Sequence, residues 1–268
     1  MKRLSLLMYH GLYASEAQRL AIDPIDRPYA VSAEAFARQL DLMLAAKIPV
    51  IHPRALEGVG EAMPTGVVLT FDDGHASNAE LALPLLRQRG LSALFFVTTD
   101  FIGQRPGFCT WDQLRELTKN DMVVGGHGQT HRFLSDLPDD ALRAELQRSH
   151  DRLTQELQTE VRQMSFPGGR YDDRSLRVAR EAGYAVLHGS DIGALGPQAT
   201  PHEGTLPRLA IRAGTPDATV LAYAQADAAT LFRARTFSQA KTLAKRLIGN
   251  ARYHQLYARV KGVPHQQP

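Results

Sequence analysis

Sulfur is almost missing from this sequence as a building material: Cys109 is its only cysteine. One thiol excludes an internal disulfide framework and a thiolate metal cluster, and it gives no reason to choose an oxidising compartment. Long apolar runs are missing too. No stretch approaches the ~20 consecutive apolar residues that cross a bilayer as a helix. The opening residues, MKRLSLLMYHGLYASEAQ, carry two basic side chains but only a short apolar run, interrupted at His10 and without a small-residue cleavage site. That is not the pattern of a secretory leader, so the sequence reading places the protein in the cytoplasm. Internal repeats and low-complexity segments are absent as well.

What remains is the composition of an ordinary globular protein, 44% hydrophobic and 22% charged over 268 residues. The formal charge of +3 hides an asymmetry. From Ala228 to Pro268 there are eight Lys or Arg and no Asp or Glu, which leaves residues 1–227 with 23 basic against 28 acidic side chains. The body is mildly acidic and the tail strongly basic. A pI of about 9.1 is therefore no argument for a nucleic-acid partner, and none is expected.

SLLMYH, from Ser5, predicts a short buried strand ending at His10, followed by a polar loop containing Pro24 and Pro28. Ala33 to Lys47 sets Phe36, Leu40, Leu42 and Met43 near one helical stripe, with Ser32 as its cap. Val67 to Phe71 is the next apolar strand, Asn78 to Arg89 is helical in pattern, and LSALFFVTT, 91–99, is again a buried strand. The order repeats: a helix from Trp111 to Thr118, a strand from Met122 to Gly125, and a long charged helix over 138–159. A strand ending in MSFP, a helix from Arg174 to Ala182, and the strand-like YAVLHGS and LPRLAIR complete it. Such alternation predicts parallel βαβ units, enough of them for a closed or nearly closed α/β barrel. Function then gathers at the C-terminal ends of the strands. His10, Asp72, Asp73, His127 and Pro167-Gly168-Gly169 all follow predicted strands and can share one rim.

VVLTFDDGH, 67–75, ends an apolar run in two adjacent carboxylates. Asp72 and Asp73 repel each other unless a cation or a proton sits beside them. VVGGHGQTHRF offers partners for a cation: His127 and His131 stand four apart, a spacing that on a helical turn aims both imidazoles to one side. The pair alone is weak evidence, since ten histidines make chance pairs common. Joined by Asp73, it becomes a three-ligand set with a position left open, as in catalytic zinc sites. A metal there lowers the pKa of bound water towards ~7, while Asp72 stays free to take the proton. The competing reading is a strand-ending turn beside two solvated histidines.

TFDDG at 70–74, HGQTH at 127–131 and FPGGRY at 166–171 bring a family into view. Over residues 4 to about 212 the sequence resembles the polysaccharide deacetylases of carbohydrate esterase family 4. The resemblance implies a distorted (β/α) barrel of about seven strands over residues 1–227 that removes N-acetyl groups from amino sugars, with 228–268 as a basic helical extension. Carried over by position, Asp72 matches the general base, and Asp73, His127 and His131 match the ligands of a zinc or another divalent transition metal. Gly168, after Pro167 and before Gly169, matches the residue whose backbone N–H helps hold the oxyanion, where a glycine lets substrate approach the main chain. Trp111 and Tyr171 are candidate walls for a sugar ring, although core aromatics need no ligand to explain them.

The sequence also departs from the family. Gly128 stands where a Ser or Thr usually follows the first histidine, and Ser165 stands two residues before Pro167, where an Arg is frequent. The late histidine that serves the family as general acid is absent from LPRLAIR. Some relatives acting on poly-N-acetylglucosamine are circularly permuted and draw the acid from an early strand. LLMYHGL resembles that arrangement, which nominates His10 to protonate the leaving amine. Arg208, after Pro207, is the candidate for the missing guanidinium near Asp72, since a fixed cation keeps a carboxylate ionised. His75 directly follows the first motif and has no assigned role.

Phe237, Leu243, Leu247, Ile248, Leu256 and Val260 interleave with Lys241, Lys245, Arg246, Arg252 and Arg259. That pattern fits a basic amphipathic helix broken near Gly249-Asn250, either lying on an anionic membrane or packed with its cationic face in water. The reading is an N-deacetylase acting on an N-acetylated glycan or a lipid-linked glycan precursor, in exopolysaccharide or cell-envelope synthesis. Its alternatives are a degenerate glycan-binding subunit and a hydrolase of another C–N bond, a formamide or a ring amide.

Overall fold

The computed structural model of the chain describes residues 3–58 and 62–248, with side chains as far as Ala240. Two compact units divide between Asp227 and Ala228.

The first unit is built on a seven-stranded parallel sheet. Its longest pairing is β1 (Leu4–Tyr9) beside β4 (Gly66–Phe71), matched from Leu4↔Gly66 to Tyr9↔Phe71 with all twelve residues buried. Strands covered on both faces read as unbroken apolar runs, which is why LSLLMY and GVVLTF show no alternation. Outward from β4 follow β5 (Leu94–Val97), β6 (Val123–Gly126), β7 (Gln163–Ser165) and β8 (Val186–His188), and β9 (Leu209–Ala210) lies on the far side of β1. The ring closes through a narrow seam. Leu206 forms a single parallel bridge to His188 of β8, its N–H on the Leu187 carbonyl at 2.8 Å, and three residues later β9 pairs with β1. LPRLAIR thus contributes only two ladder residues. Pro207 has no N–H to give a ladder, and Arg208 turns its side chain into the barrel. The sheet with its helices is the distorted (β/α) barrel expected from the sequence.

Helices cover the sheet where apolar stripes and caps meet. In α2 (Ala33–Ala45), Phe36, Leu40 and Met43 are buried, and the Ser32 hydroxyl accepts the Ala35 N–H. A reciprocal Thr110/Gln113 capping box opens α4 (Trp111–Lys119). Helix α5 (Asp139–Leu157) buries Leu142, Glu145, Leu146, Ser149, Leu153 and Leu157 along one side. A second capping box, Asp172 with Ser175, starts α6 (Asp173–Glu181), and α7 (Asp217–Ala224) completes the layer.

Two stretches differ from the sequence reading. Asn78 to Arg89 is not one α-helix: a π-helical turn over Asn78–Ala82 leads into α3 (Leu83–Arg87). Pro84 cannot donate to the carbonyl four residues back, and the Leu83 N–H instead reaches Asn78, five back. The loop after β1 is also more ordered than its prolines suggest. It contains β2 (Leu12–Tyr13), α1 (Glu16–Ala21) capped by Ser15, and β3 (Val31–Ser32), with β2 and β3 paired in parallel.

The second unit is described by α8 (Ala228–Ile248), on which Phe232 and Phe237 are each 67% exposed. The predicted continuation of the amphipathic pattern from Gly249 to Val260 lies outside the described residues. Among the described residues, no helix is long and apolar enough to cross a membrane.

Candidate active site

β4 runs straight into Asp72 and Asp73, and the neighbouring strand ends deliver the residues around them. Asp72 meets Arg208, which rises through the barrel interior 1% exposed and binds both carboxylate oxygens, at 2.6 and 2.7 Å. The guanidinium is itself positioned by the Gly189 carbonyl at 2.8 Å and Thr70 Oγ1 at 3.3 Å, with the Phe96 ring 5.2 Å away. Burial alone would raise the Asp72 pKa. Arg208, together with His127 and His10, outweighs it and holds the carboxyl below the ordinary range.

Asp73 meets the opposite surroundings. Its Oδ1 lies 3.3 Å from His127 Nε2 and 3.2 Å from His131 Nε2, and the ligand atoms of all three residues lie within 4.8 Å of one another. A tetrahedral ion with bonds of ~2.0–2.1 Å needs ligand atoms about 3.3 Å apart, which the two separations between Asp73 and the imidazoles match. The tautomer fits as well. His127 Nδ1 lies 2.9 Å from the Ser165 carbonyl and 2.6 Å from Ser165 Oγ. A carbonyl only accepts, so the proton is fixed on Nδ1 and Nε2 is left bare for a metal. Burial would raise the Asp73 pKa, but the facing imidazoles hold it well below the ordinary range. At His131 burial pulls the pKa down and Asp73 pushes it up further.

The four-residue spacing of the histidines does not work through a helical turn. His127 to His131 is a bent loop, with φ of +76° at Gly128 and +66° at His131, and Asp73 itself has φ +77°. Aspartate and histidine enter the left-handed region more readily than most residues, yet neither favours it. Two of the three candidate ligands are therefore held in backbone conformations that their surroundings must enforce.

His10, just beyond β1, lies against Tyr29 with the ring centroids 4.8 Å apart and the planes tilted by 37°, and its buried Nδ1 has no hydrogen-bond partner among the described residues. Burial lowers its pKa, against the pull of Asp73 and Asp72. His75 is buried between Gly11 and the Phe108 ring, with Nε2 3.7 Å from Asp73 Oδ2. Beside it opens a cleft of about 430 Å³ lined by Gly11, His75 and Phe108 and by the charged Asp23, Asp26 and Arg105.

The third motif follows β7. Pro167 is buried, Gly168 and Gly169 have φ of +61° and +65°, and a side chain on Gly168 would meet the Phe133 ring at 2.6 Å. The Tyr171 hydroxyl donates to Asp191 at 2.7 Å, with its ring 5.3 Å from that of Phe166. Trp111 begins α4, with Arg152 over its ring at 5.2 Å. Ser165 was noticed in the sequence only as a departure from the family. Its hold on His127 emerges from the pairing of β6 with β7, which sequence spacing does not reveal.

Comparison with known proteins follows the same motifs. Residues 60–187 match the family model described as polysaccharide deacetylase. Over 128 residues the chain is 27% identical to the "Putative polysaccharide deacetylase YxkH" of Bacillus subtilis, covering 48% of this chain and 46% of that protein. The chain thus spans about half the length of the curated relatives it matches. IcaB from Ammonifex degensii superposes with a TM-score of 0.69 at 26% identity, over 84% of this chain and 98% of that one. The Streptococcus pyogenes deacetylase PplD, solved with acetate, shares the fold with a TM-score of 0.71 at 23% identity, over 83% and 98% of the two chains. The matched residues 60–187 hold TFDDG at one end and the FPGGRY loop towards the other, so the similarity to polysaccharide deacetylases falls on the segment that carries these motifs.

Proposed function

We propose that this protein is a metal-dependent N-deacetylase of an N-acetylated glycan or a lipid-linked glycan precursor. One observation carries the reading: two adjacent aspartates at one strand end, the first clamped to a buried arginine and the second ringed by two imidazoles at metal-ligand spacing. A pure binding protein needs the second arrangement less than a hydrolase does.

Asp73, His127 and His131 would hold the ion, with zinc first in order because two imidazoles and a carboxylate are its usual catalytic set. When bound, such an ion acts as a Lewis acid and brings the pKa of a water to ~7. The chain's own groups supply the rest. Asp72, kept ionised by Arg208, accepts the proton of the attacking water. Gly168 offers its backbone N–H to the acetyl oxygen as negative charge builds there. His10, neutral at rest because burial lowers its pKa, takes up the proton that Asp72 drew from the water and passes it to the departing nitrogen, which leaves Asp72 ionised again. Water has then added across the amide bond, leaving acetate and a free amine. The cleft beside His75 gives room for the sugar that carries the acetamide, and Pro167, Gly169 and Tyr171 in the segment after β7 are the further candidate sugar contacts. The basic segment 228–268 suits an anionic membrane surface carrying a lipid-linked substrate.

The experiment is acetate release from chitooligosaccharides by zinc-loaded wild type and Asp72→Asn, with bound zinc measured in both. Turnover in the wild type, lost at least 1,000-fold in a variant that still carries zinc, is the expected outcome. Zinc retained with no acetate released by either protein would favour the glycan-binding subunit, and turnover by Asp72→Asn would remove Asp72 from the base role.

A further inference from the structure

Glu145 is a carboxylate the proposed mechanism does not use. It sits on the inner side of α5, only 6% exposed, and among the described residues it pairs with no lysine or arginine. Burying an unpaired charge is costly unless its oxygens are filled by hydrogen bonds. Those bonds all go to one residue. The Thr130 N–H reaches Oε1 at 2.6 Å, and the Thr130 hydroxyl lies 3.0 Å from each carboxylate oxygen.

Thr130 stands between the two candidate metal-ligating histidines, in the bent loop whose Gly128 and His131 have positive φ. A second grip comes from the same helix, one turn on. Ser149 donates its hydroxyl to the Gly128 carbonyl at 3.1 Å. Glu145 Oε1 also occupies the space beside Gly128, where an added Cβ would meet it at 3.1 Å. A strained loop persists only when its neighbours over-determine it, and here α5 does so at both Gly128 and Thr130.

We infer that Glu145 is a positioning residue for the metal site: it fixes the 127–131 loop so that His131 Nε2 converges with His127 Nε2 on one oxygen of Asp73. The inference rests on the reading of Asp73, His127 and His131 as a metal site. Outer residues that orient metal ligands change affinity by ~10–100-fold when removed, and Glu145 acts one bond further out, through the backbone of the loop.

The test uses the full chain, stripped of metal and titrated with zinc chloride against a chromophoric chelator, for wild type, Glu145→Ala, Glu145→Gln and Thr130→Val. Thr130 is exposed, so its replacement leaves the core intact. Glu145→Ala is expected to bind zinc ~10–100-fold more weakly. Thr130→Val, which keeps the backbone N–H but loses the hydroxyl, is expected to fall between it and the wild type. Glu145→Gln, whose amide oxygen still accepts the Thr130 N–H and whose NH2 can donate to the Thr130 hydroxyl, should recover most of the affinity. Wild-type affinity in both Glu145→Ala and Thr130→Val overturns the inference, and so does equal weakening in Glu145→Ala and Glu145→Gln, which would make charge rather than loop geometry the cause. If Glu145→Ala does not fold, wild-type affinity in Thr130→Val alone overturns it. A wild type that takes up no zinc is a different result, because it removes the metal site itself.

Discussion

Asp72 and Asp73 are neighbours in the chain and solve one electrostatic problem in opposite ways. Asp72 has a permanent counter-charge: Arg208 is covalently part of the barrel, fully buried, and bonded to both oxygens. Asp73 faces only imidazoles, which can be neutral or charged, at distances suited to an ion the chain does not itself provide. Their backbones differ in the same sense. Asp72 continues the extended strand, its N–H on the Tyr9 carbonyl at 2.9 Å, whereas Asp73 turns to φ +77°. The carboxylate proposed to begin each cycle ionised and accept a proton is tied to a fixed cation at the end of regular structure. The one proposed to hold an exchangeable cation sits where the backbone has turned to positive φ.

The largest effect that would break this comparison is removal of the fixed partner. Arg208→Met leaves Asp72 buried and unpaired, a loss expected at about 3–5 kcal/mol in urea unfolding at pH 7. The sign with pH discriminates. In the wild type the folded pKa of Asp72 is depressed, so its contribution is present above about pH 4 and disappears only as pH falls through the folded value. Without Arg208, burial raises that pKa instead, and protonation relieves the penalty. The stability gap between variant and wild type should therefore narrow from pH 7 to pH 5, and a constant gap would show that Asp72 keeps its charge without Arg208.

Next in size is His10→Gln, which removes the proposed proton donor and not the metal ligands. A fall in kcat of ~100–10,000-fold with unchanged zinc content is expected from acetate-release kinetics. A change in KM alone would make His10 a substrate contact. Smallest is Ser165→Ala. It removes the hydroxyl on His127 Nδ1 but keeps the backbone carbonyl that selects the tautomer, so zinc affinity should fall ~10-fold at most. A loss as large as that of a ligand substitution would mean that the hydroxyl, not the carbonyl, sets the ring.

Much of the architecture was legible because a parallel barrel writes its strands as continuous apolar runs. LSLLMY and GVVLTF carry that signal, and the apolar stripe of α2 carries the helical one. The short elements were less legible for identifiable reasons. β9 is cut to two residues by Pro207, and the helix expected after Asn78 is reset by Pro84 into a π turn. The histidine pair was visible as a spacing, but its conformation was not, since a left-handed histidine at 131 has no pattern in the sequence. The braces were least visible of all. Ser165 acts across two strands and Glu145 from a helix fifteen residues beyond Thr130, contacts that depend on register and packing rather than on local order.

The segment that carries Arg208 is also the closing piece of the barrel, held to β8 by one bridge at Leu206 and to β1 by two residues. The ion pair on which the proposed mechanism depends and the closure of the ring therefore share one segment. Any breathing at that seam withdraws the guanidinium from Asp72 while the broad β1–β4 contact still stands. Under heat or denaturant, the proposed deacetylase would fall silent before it lost its shape.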